Sequence, residues 1–592
     1  MTDDIKGWRG KRLLVDLTIH RAWTEEIPAE ELAMGIGGRG LNGRYFLDRV
    51  DSQAVPSAPG DPIAFGVGPF SGTYAPCSGW TSISALSPLP FPSRYVHGSL
   101  PGHWGPQLKL AGFDQLIIMG KAEKPLILVI GEEETIFKDG KHLWGRDTVE
   151  TTVAVEEEEK YRNIEVLCIG PAGENRVLFA NGTNRFSWTA DHMGLGYLLG
   201  SKNLKAVAVR GNRPVSLHDP DRFLRTCTDL RQRIQQDSEG SRLREEGSFL
   251  LLGRSVGGLG IRNYTRASTP EFQSRWASVY FTDYSYGKEA CFSCPVHCGR
   301  TTDVNGNYFG GVHVESAWSL GPRIGIEDWG KTLLLHRICQ RLGLDPSATG
   351  SLLSWTMDCY EKGILSDQEL GSHPCRWGDE KAAIQLIESI VEQRGVGEVL
   401  CRGSFGAAKS LGKGLDEVPH LRGVDLPIRD PGSSLEYALS RAFFPAEWDY
   451  LQSLATYSSS PFKGEVRRGM GDPSEAACQQ DEGNGTMERV LAAENLRILA
   501  DLNSLCPLVL ARLPLLTAPD VEELLSSTTG MEVNGQTLEA AVRGTIETEK
   551  VLSQRFRSND THEASLPSRF FKNPADKNRV EKELANDTAS KG

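Results

Sequence analysis

The residues best suited to chemistry in this 592-residue chain stand together in "EACFSCPVHCGR", residues 289–300. Cys291, Cys294 and Cys298 are spaced C-x2-C-x3-C. Thiolates this close bind soft metals, and both a tetrahedral zinc and a cubane iron–sulfur cluster take four ligands. Zinc would call for a second Cys or His pair nearby. His297 sits awkwardly inside the triplet, and His313, 15 residues on, has no partner at the usual spacing. Three unrelated buried cysteines fit poorly with Pro295 and the polar residues between them. A 4Fe–4S cluster accepts a distant fourth thiolate, because the fold delivers it. Iron–sulfur is the first reading and zinc the second.

A fourth thiol is offered by "ADLNSLCPLV", where Cys506 follows a helical pattern and precedes a proline. The stretch "CQRLGLDPSA" has the same local shape: Gln340-Arg341-Leu342-Gly343-Leu344-Asp345 against Asp501-Leu502-Asn503-Ser504-Leu505-Cys506. Two such loops, each ending a helix, suggest two ligand-facing sites; a pair of ordinary C-caps is the alternative. Carboxylates such as Asp345 and Asp501 can there accept hydrogen bonds from a donor-rich heterocycle such as a pterin. Elsewhere, "MGIGGRG" fits G-x-G-x-x-G through Gly35, Gly37 and Gly40. A dinucleotide fingerprint follows a strand and opens a helix, whereas the preceding "IPAEELA" has a helical pattern. A glycine-rich turn is the better reading.

The elements that must position these residues change character along the chain. Residues 1–211 hold short strand-like runs, among them "KRLLVDLT", "PIAFGVG", "QLIIMG", "LILVIG" and "AVAVRG", punctuated by Gly, Pro and Asn. From about residue 218 apolar residues recur at helical spacing, as in "DWGKTLLLHRICQRLG" and "MERVLAAENLRILADLNSLC". Asp, Ser or Pro stand near the helix starts and Gly at their ends. The last ~35 residues are polar. No internal repeat is visible. The fold class expected is α+β, with a β-rich domain at 1–211 and mostly helical domains at 212–418 and 419–592. With 39% hydrophobic and 24% charged residues the composition is that of a globular protein. The net charge of -12 argues against a nucleic-acid surface, and no apolar run is long enough for a bilayer span. Twelve scattered cysteines and no secretory apolar segment predict a reduced, cytoplasmic chain.

Together these residues resemble the aldehyde:ferredoxin oxidoreductase family, the tungsten bispterin enzymes. That family joins C-x2-C-x3-C to two pterin motifs, D-x-x-G-L-D and D-x-x-G-L-C, whose last cysteine is the fourth cluster ligand. The segments "GPFSGTYAPCSGWTSISALSPL", "GPQLKLAGFDQLIIMGKAEKPL", "IGPAGENRVLFA", "MGLGYLLGSKNLKAVAVRG" and "RGVGEVLCRG" extend the resemblance over most of the chain. It implies a 4Fe–4S cluster on Cys291, Cys294, Cys298 and Cys506, and a tungsten or molybdenum bispterin held by the β-rich domain. It also implies a small-molecule substrate, with aldehyde oxidised to carboxylate. Electrons would leave for a ferredoxin or an iron–sulfur subunit, in an oligomer or complex. The related benzoyl-CoA reductase subunits make low-potential reduction the alternative, and a non-catalytic electron-transfer relative a further one.

The departures from the family pattern lie in the site itself. Gln340 replaces the Asp of the first motif, and Ser504 the Gly of the second, ahead of Leu505. Trp80 stands where the family has an arginine bridging pterin phosphate and cluster. His192 replaces a second, phosphate-facing arginine, and His97, Gly98 and Ser99 fall at the small-residue pterin segment. Glu315 in "GGVHVESAWSLG" is the counterpart of the family's active-site Glu. The family's histidine should fall in "SRAFFPAEWDYL", which has none; Glu447 is the catalytic candidate there, with Asp449 near it.

Overall fold

The computed structural model describes residues 6–556 except 431–485 and the short stretches 52–53, 55–57, 59, 91–93, 162, 191, 253–257, 372–373 and 514; Phe570 is also described. The fold is α+β. Its β part is two six-stranded sheets. The first contains β1 (Lys11–Asp16), β2 (Arg21–Glu26), β3 (Ile63–Gly66), β4 (Thr81–Ser87), β5 (Arg94–Leu100) and β6 (Gln115–Met119), in the order β2-β1-β6-β3-β4-β5. The second contains β7 (Leu126–Ile130), β8 (Thr135–Asp139), β9 (Glu165–Ile169), β10 (Gly182–Asn184), β11 (Trp188–Thr189) and β12 (Leu204–Val209). Read from its other edge, its order is β8-β7-β12-β9-β10-β11.

These two orders are one topology used twice. In each sheet the first strand pairs in parallel with the last, β1 with β6 and β7 with β12, and every other pairing is antiparallel. The sequence shows no repeat because strand pairing is made by the backbone and asks of each strand only apolar residues. The sheets share a core: Leu13, Phe65, Ile83, Val96 and Leu116 of the first meet Leu128, Leu167 and Val207 of the second. Trp104 is wedged between them, its indole N–H donating to the Val207 carbonyl at 3.0 Å. Alternate residues face away. Leu14, Ala64 and Ile117 pack on Tyr45 and Phe46, and Ile127, Val129 and Val166 pack on Val155. Covered on both faces, β3, β7, β9 and β12 are buried along their whole length.

Helices dominate from Pro220 onward. Asp219, Asp328 and Asp379, read from the sequence as helix starts, each accept a backbone N–H of the first turn, and Thr269 and Asp345 do the same. A three-stranded antiparallel sheet, Ser285–Glu289, Gly299–Val304 and Asn307–Phe309, interrupts them. The cysteine triplet is the loop between its first two strands. The segment "MGIGGRG" joins α1 (Ala29–Gly35) to α2 (Gly38–Arg49), so the element directly before it is a helix and not a strand.

Candidate functional site

The cysteine loop closes tightly because Ser293 and His297 both take left-handed backbone conformations, with φ of 57° and 59°. It docks on the N-terminal sheets: Phe292 N–H donates to Gly102 O at 3.0 Å, and His103 Nε2 lies 2.9 Å from Ala290 O. Gly79 permits the approach, since a Cβ there would lie 2.6 Å from Gly102 O and 3.0 Å from Cys291 Cβ. Cys506 arrives from the far end of the chain, its N–H donating to Cys77 O at 2.9 Å. The four cysteines feel one another's charge. Burial first, then the neighbouring thiols, pushes Cys291 well above the ordinary thiol value, and the same causes raise Cys506. Cys298 is pushed up to about 12 by burial and by Cys294. Cys294 alone is drawn down, to about 7, chiefly by its contact with Cys77.

The two loops that look alike in sequence are alike in space. Each helix, Trp329–Leu342 and Thr486–Asn503, runs into a left-handed residue, Gly343 (φ 72°) and Ser504 (φ 62°). Leu344 N–H then returns to Cys339 O and Leu505 N–H to Ala500 O, both at 2.9 Å. Each loop is seated on the connection after the third strand of one sheet. In the first seam Trp80 N–H donates to Ser504 O at 3.2 Å, and in the second Asn181 N–H donates to Gly343 O at 2.8 Å. Glycine makes both seams possible. A Cβ at Gly68 would lie 2.5 Å from Asn503 C, and one at Gly170 would lie 2.5 Å from Leu342 C. Ser504, which replaces a glycine, accepts Gly68 N–H on its hydroxyl at 2.7 Å.

The loops differ in where they place carboxylates. Asp501 lies in the last turn of its helix, so its spatial counterpart is Gln340. Asp345 does not end a helix as expected: it opens the next one, Pro346–Glu361, accepting Ser347 and Ala348 N–H at 2.9 and 3.0 Å. The proline after it cannot continue the preceding helix but suits a first turn. Gln340 donates to Phe186 O and, at 3.1 Å, to Gly310 O, and its amide oxygen accepts from Arg337. Both of its N–H groups are thus engaged within the protein.

Asp501 is the hub of the first seam. Arg497 Nε and Arg39 Nη1 each lie 3.2 Å from it, as does His97 Nε2, and Ser99 Oγ donates to it at 3.4 Å. Burial opposes its charge, but Arg497, His97 and Arg39 outweigh burial and hold it far below the usual carboxylate range. Gly98 lies between His97 and Ser99 on β5, opposite Ile83. Buried beside the hub, Trp80 Nε1, Thr81 Oγ1 and His97 Nδ1 find no hydrogen-bond partner among the described residues. Buried polar groups are ordinarily satisfied. A polar heterocycle over β4 and β5 would supply the missing partners, so the residues present fit a pterin.

Around the second seam lies a buried acidic network. His192 Nδ1 meets Asp345 Oδ2 at 2.7 Å. Glu315, in the first turn of helix Val314–Leu320, accepts Ile428 N–H and the Ser347 hydroxyl, both at 2.9 Å. Burial raises its pKa, and these bonds with Arg323 and His192 only partly offset that. Asp425 accepts from Ser351 at 2.9 Å and from Ser404, and burial raises it too. Glu447 lies outside the described residues. The site residues missed in sequence, Cys77, Arg39, Arg497 and Asp425, carried no spacing signal; only the fold brings them in.

Family comparison agrees with this geometry. The model described as "Aldehyde ferredoxin oxidoreductase, N-terminal domain" matches residues 12–211, and that for "domains 2 & 3" matches residues 225–590. The chain belongs to the aldehyde ferredoxin oxidoreductase family. It is an oxidoreductase of that family. The tungsten-containing aldehyde ferredoxin oxidoreductase of Pyrococcus furiosus is 28% identical over 95% of this chain and 92% of its own. An aliphatic sulfonate oxidoreductase subunit of the same organism is 31% identical over 73% of this chain and 72% of its own. Among solved structures, the BamBC active-site complex of benzoyl coenzyme A reductase with 1,5 dienoyl-CoA shares the fold. Its TM-score is 0.86 at 21% identity, covering 98% of this chain and 94% of that one. No helix among the described residues is long and apolar enough to cross a membrane.

Proposed function

We propose that this chain is a tungsten bispterin enzyme that oxidises an aldehyde to a carboxylate and passes the electrons through a 4Fe–4S cluster to a ferredoxin or iron–sulfur subunit. The observation that carries the reading is the convergence of the Cys291–Cys298 loop and Cys506 on Cys77, beside the seam of Trp80 and Ser504. A 4Fe–4S cluster suits thiols that the fold delivers from two distant segments. Trp80, His97 and Ser99 would hold one pterin, and His192 with the Asp345 loop the other; the tungsten names of the relatives favour that metal.

When bound, the pterin metal and the cluster supply the redox chemistry. Overall, aldehyde and water give carboxylate, three protons and two electrons. The chain's own part is to seat the substrate and move protons. Glu315 is the proton carrier: burial raises its pKa above the ordinary carboxylate value, which favours its taking up a proton and returning it. Asp501 and Asp345 fix the imidazoles that face the pterins. The three stretches 1–211, 212–418 and 419–592 act as domains closing on the site, within a complex in the reducing cytoplasm.

A second reading, low-potential reduction of an aromatic thioester, is favoured by the absence of a histidine between His420 and His562 and by the shared fold with the benzoyl coenzyme A reductase complex. One experiment separates the two. Anaerobically purified protein is assayed for tungsten, molybdenum and iron, then for dye reduction with an aldehyde panel and for dye-coupled turnover of an aromatic thioester and its dienoyl product. Aldehyde-dependent dye reduction supports the first reading. Metal-replete enzyme active only on the thioester pair overturns it in favour of the second.

A further inference from the structure

A fifth cysteine stands at the proposed cluster. Cys77 lies in the β3–β4 connection, only 1% exposed, with its Sγ 3.7 Å from Cys294 Sγ. Both halves of the ligand set hold it in place. Its N–H donates to Ser293 O at 3.2 Å inside the cysteine triplet, and its carbonyl accepts Cys506 N–H at 2.9 Å. Its backbone is left-handed, with φ of 61°, a conformation uncommon outside glycine that points to a fixed local geometry. Arg231 clamps the same loop from outside, donating to Ser293 O and to Tyr74 O at 2.9 and 3.0 Å.

The role of Cys77 rests on the proposed cluster, whose four cysteine ligands complete its coordination without a fifth. Either sulfur can be the donor in the free thiols, but a ligand thiolate carries no proton. The one hydrogen available to the contact is then on Cys77. We infer that the Cys77 thiol donates a hydrogen bond to the Cys294 thiolate and thereby raises the reduction potential of the cluster. Hydrogen bonds to cluster sulfurs are a principal control of potential. Such a bond draws charge from the thiolate and so favours the reduced cluster, which carries one more negative charge. Cys77 itself is buried, and a low-dielectric surrounding strengthens such a bond. Cys77 is a positioning and tuning residue, with no contact to substrate.

The test uses the full chain, purified anaerobically as wild type, Cys77→Ala and Cys77→Ser, with Cys294→Ala as the ligand control. Iron and sulfide per chain are measured, and the midpoint potential is read by EPR-monitored titration. The expected result is unchanged iron in both Cys77 variants, a more negative midpoint in Cys77→Ala, and a partial return in Cys77→Ser, whose hydroxyl can still donate. Iron-replete Cys77→Ala with the wild-type midpoint overturns the inference. Iron loss in Cys77→Ala equal to that in Cys294→Ala also overturns it, making Cys77 a ligand. Wild-type protein without iron instead defeats the cluster reading itself. Should Cys77→Ala fail to fold, pulsed ENDOR of the reduced cluster in D2O decides from Cys77→Ser. A changed exchangeable-proton coupling supports the bond, and an unchanged one overturns it.

Discussion

Glu315 and His192 occupy the same buried pocket, and both are shifted toward their protonated forms, Glu315 by burial and His192 by the carboxylates around it. For Glu315 burial disfavours the carboxylate. Glu315→Gln keeps an oxygen to accept Ile428 N–H and the Ser347 hydroxyl, so the fold should survive. Turnover should fall by about 10²–10⁴-fold, the usual worth of general acid–base help, while iron and tungsten content stay at the wild-type level. Steady-state rates beside metal analysis check this. For His192 burial lowers the pKa, but the charge and hydrogen bond of Asp345 together outweigh it and leave the value raised above 6.5. A raised folded-state pKa stabilises the protein below the unfolded value of 6.5, and that stabilisation is lost as pH rises through the folded-state value. Denaturation midpoints of the wild type should therefore fall between pH 6.5 and alkaline pH more steeply than those of His192→Gln. Parallel slopes would remove the pair from the stability of the site.

At the scale of elements, the seam between α2 and the end of helix Thr486–Asn503 is set by glycine and by a buried arginine. Gly38 has φ of 43°, and a Cβ there would lie 2.1 Å from Asp501 O. Gly38→Ala should cost at least the about 1–3 kcal/mol of ordinary overpacking and shift Asp501 with the Cys506 loop behind it. Reduced iron content at equal protein yield is the check. Arg39, 1% exposed, joins Asp501 at 3.2 Å to Glu549 of helix Gly535–Arg555 at 2.7 Å. Arg39→Ala leaves two carboxylates without their shared cation, and breaking such a buried pair typically costs about 3–5 kcal/mol. Urea denaturation should show this as a lower midpoint with little change in slope.

In the whole molecule, the proposed cluster site is where three distant segments meet: the β3–β4 connection, the 291–298 loop and the helix end at 501–506. A group bound only by the folded state stabilises it through mass action. Its removal should loosen this junction before the sheets, whose central strands are buried on both faces. Hydrogen exchange after anaerobic iron chelation should show faster exchange at 291–300 and 501–510, with 63–66 and 126–130 unchanged. Uniform loosening would place the cluster outside the junction's stability.

Much of this was legible in order of residues alone, because it rests on local physics. Strand patterns, helix caps such as Asp328 and Asp379, the cysteine spacing and the like shape of the 340–345 and 501–506 loops all follow from neighbours in sequence. Even the rejection of a dinucleotide fingerprint at Gly35–Gly40 needed only the helical pattern before it. The turn's use was hidden, since Gly37 and Gly38 are small for the sake of Asp501 and Leu502, more than 460 residues away. Likewise the doubled sheet topology leaves no repeat in the side chains, because backbone hydrogen bonds carry it. Asp345 read as the end of one helix and became the cap of the next, as Pro346 after it suits a first turn, while Phe179 O and Asn181 N–H seat the loop on the sheet. Spacing marks a thiol as a ligand, but only packing against Ser293 and Cys506 brings Cys77 to within 3.7 Å of Cys294. Local sequence determined which residues could do chemistry; the tertiary fold decided which of them stand together, since contact between distant segments is set by packing that no single segment encodes.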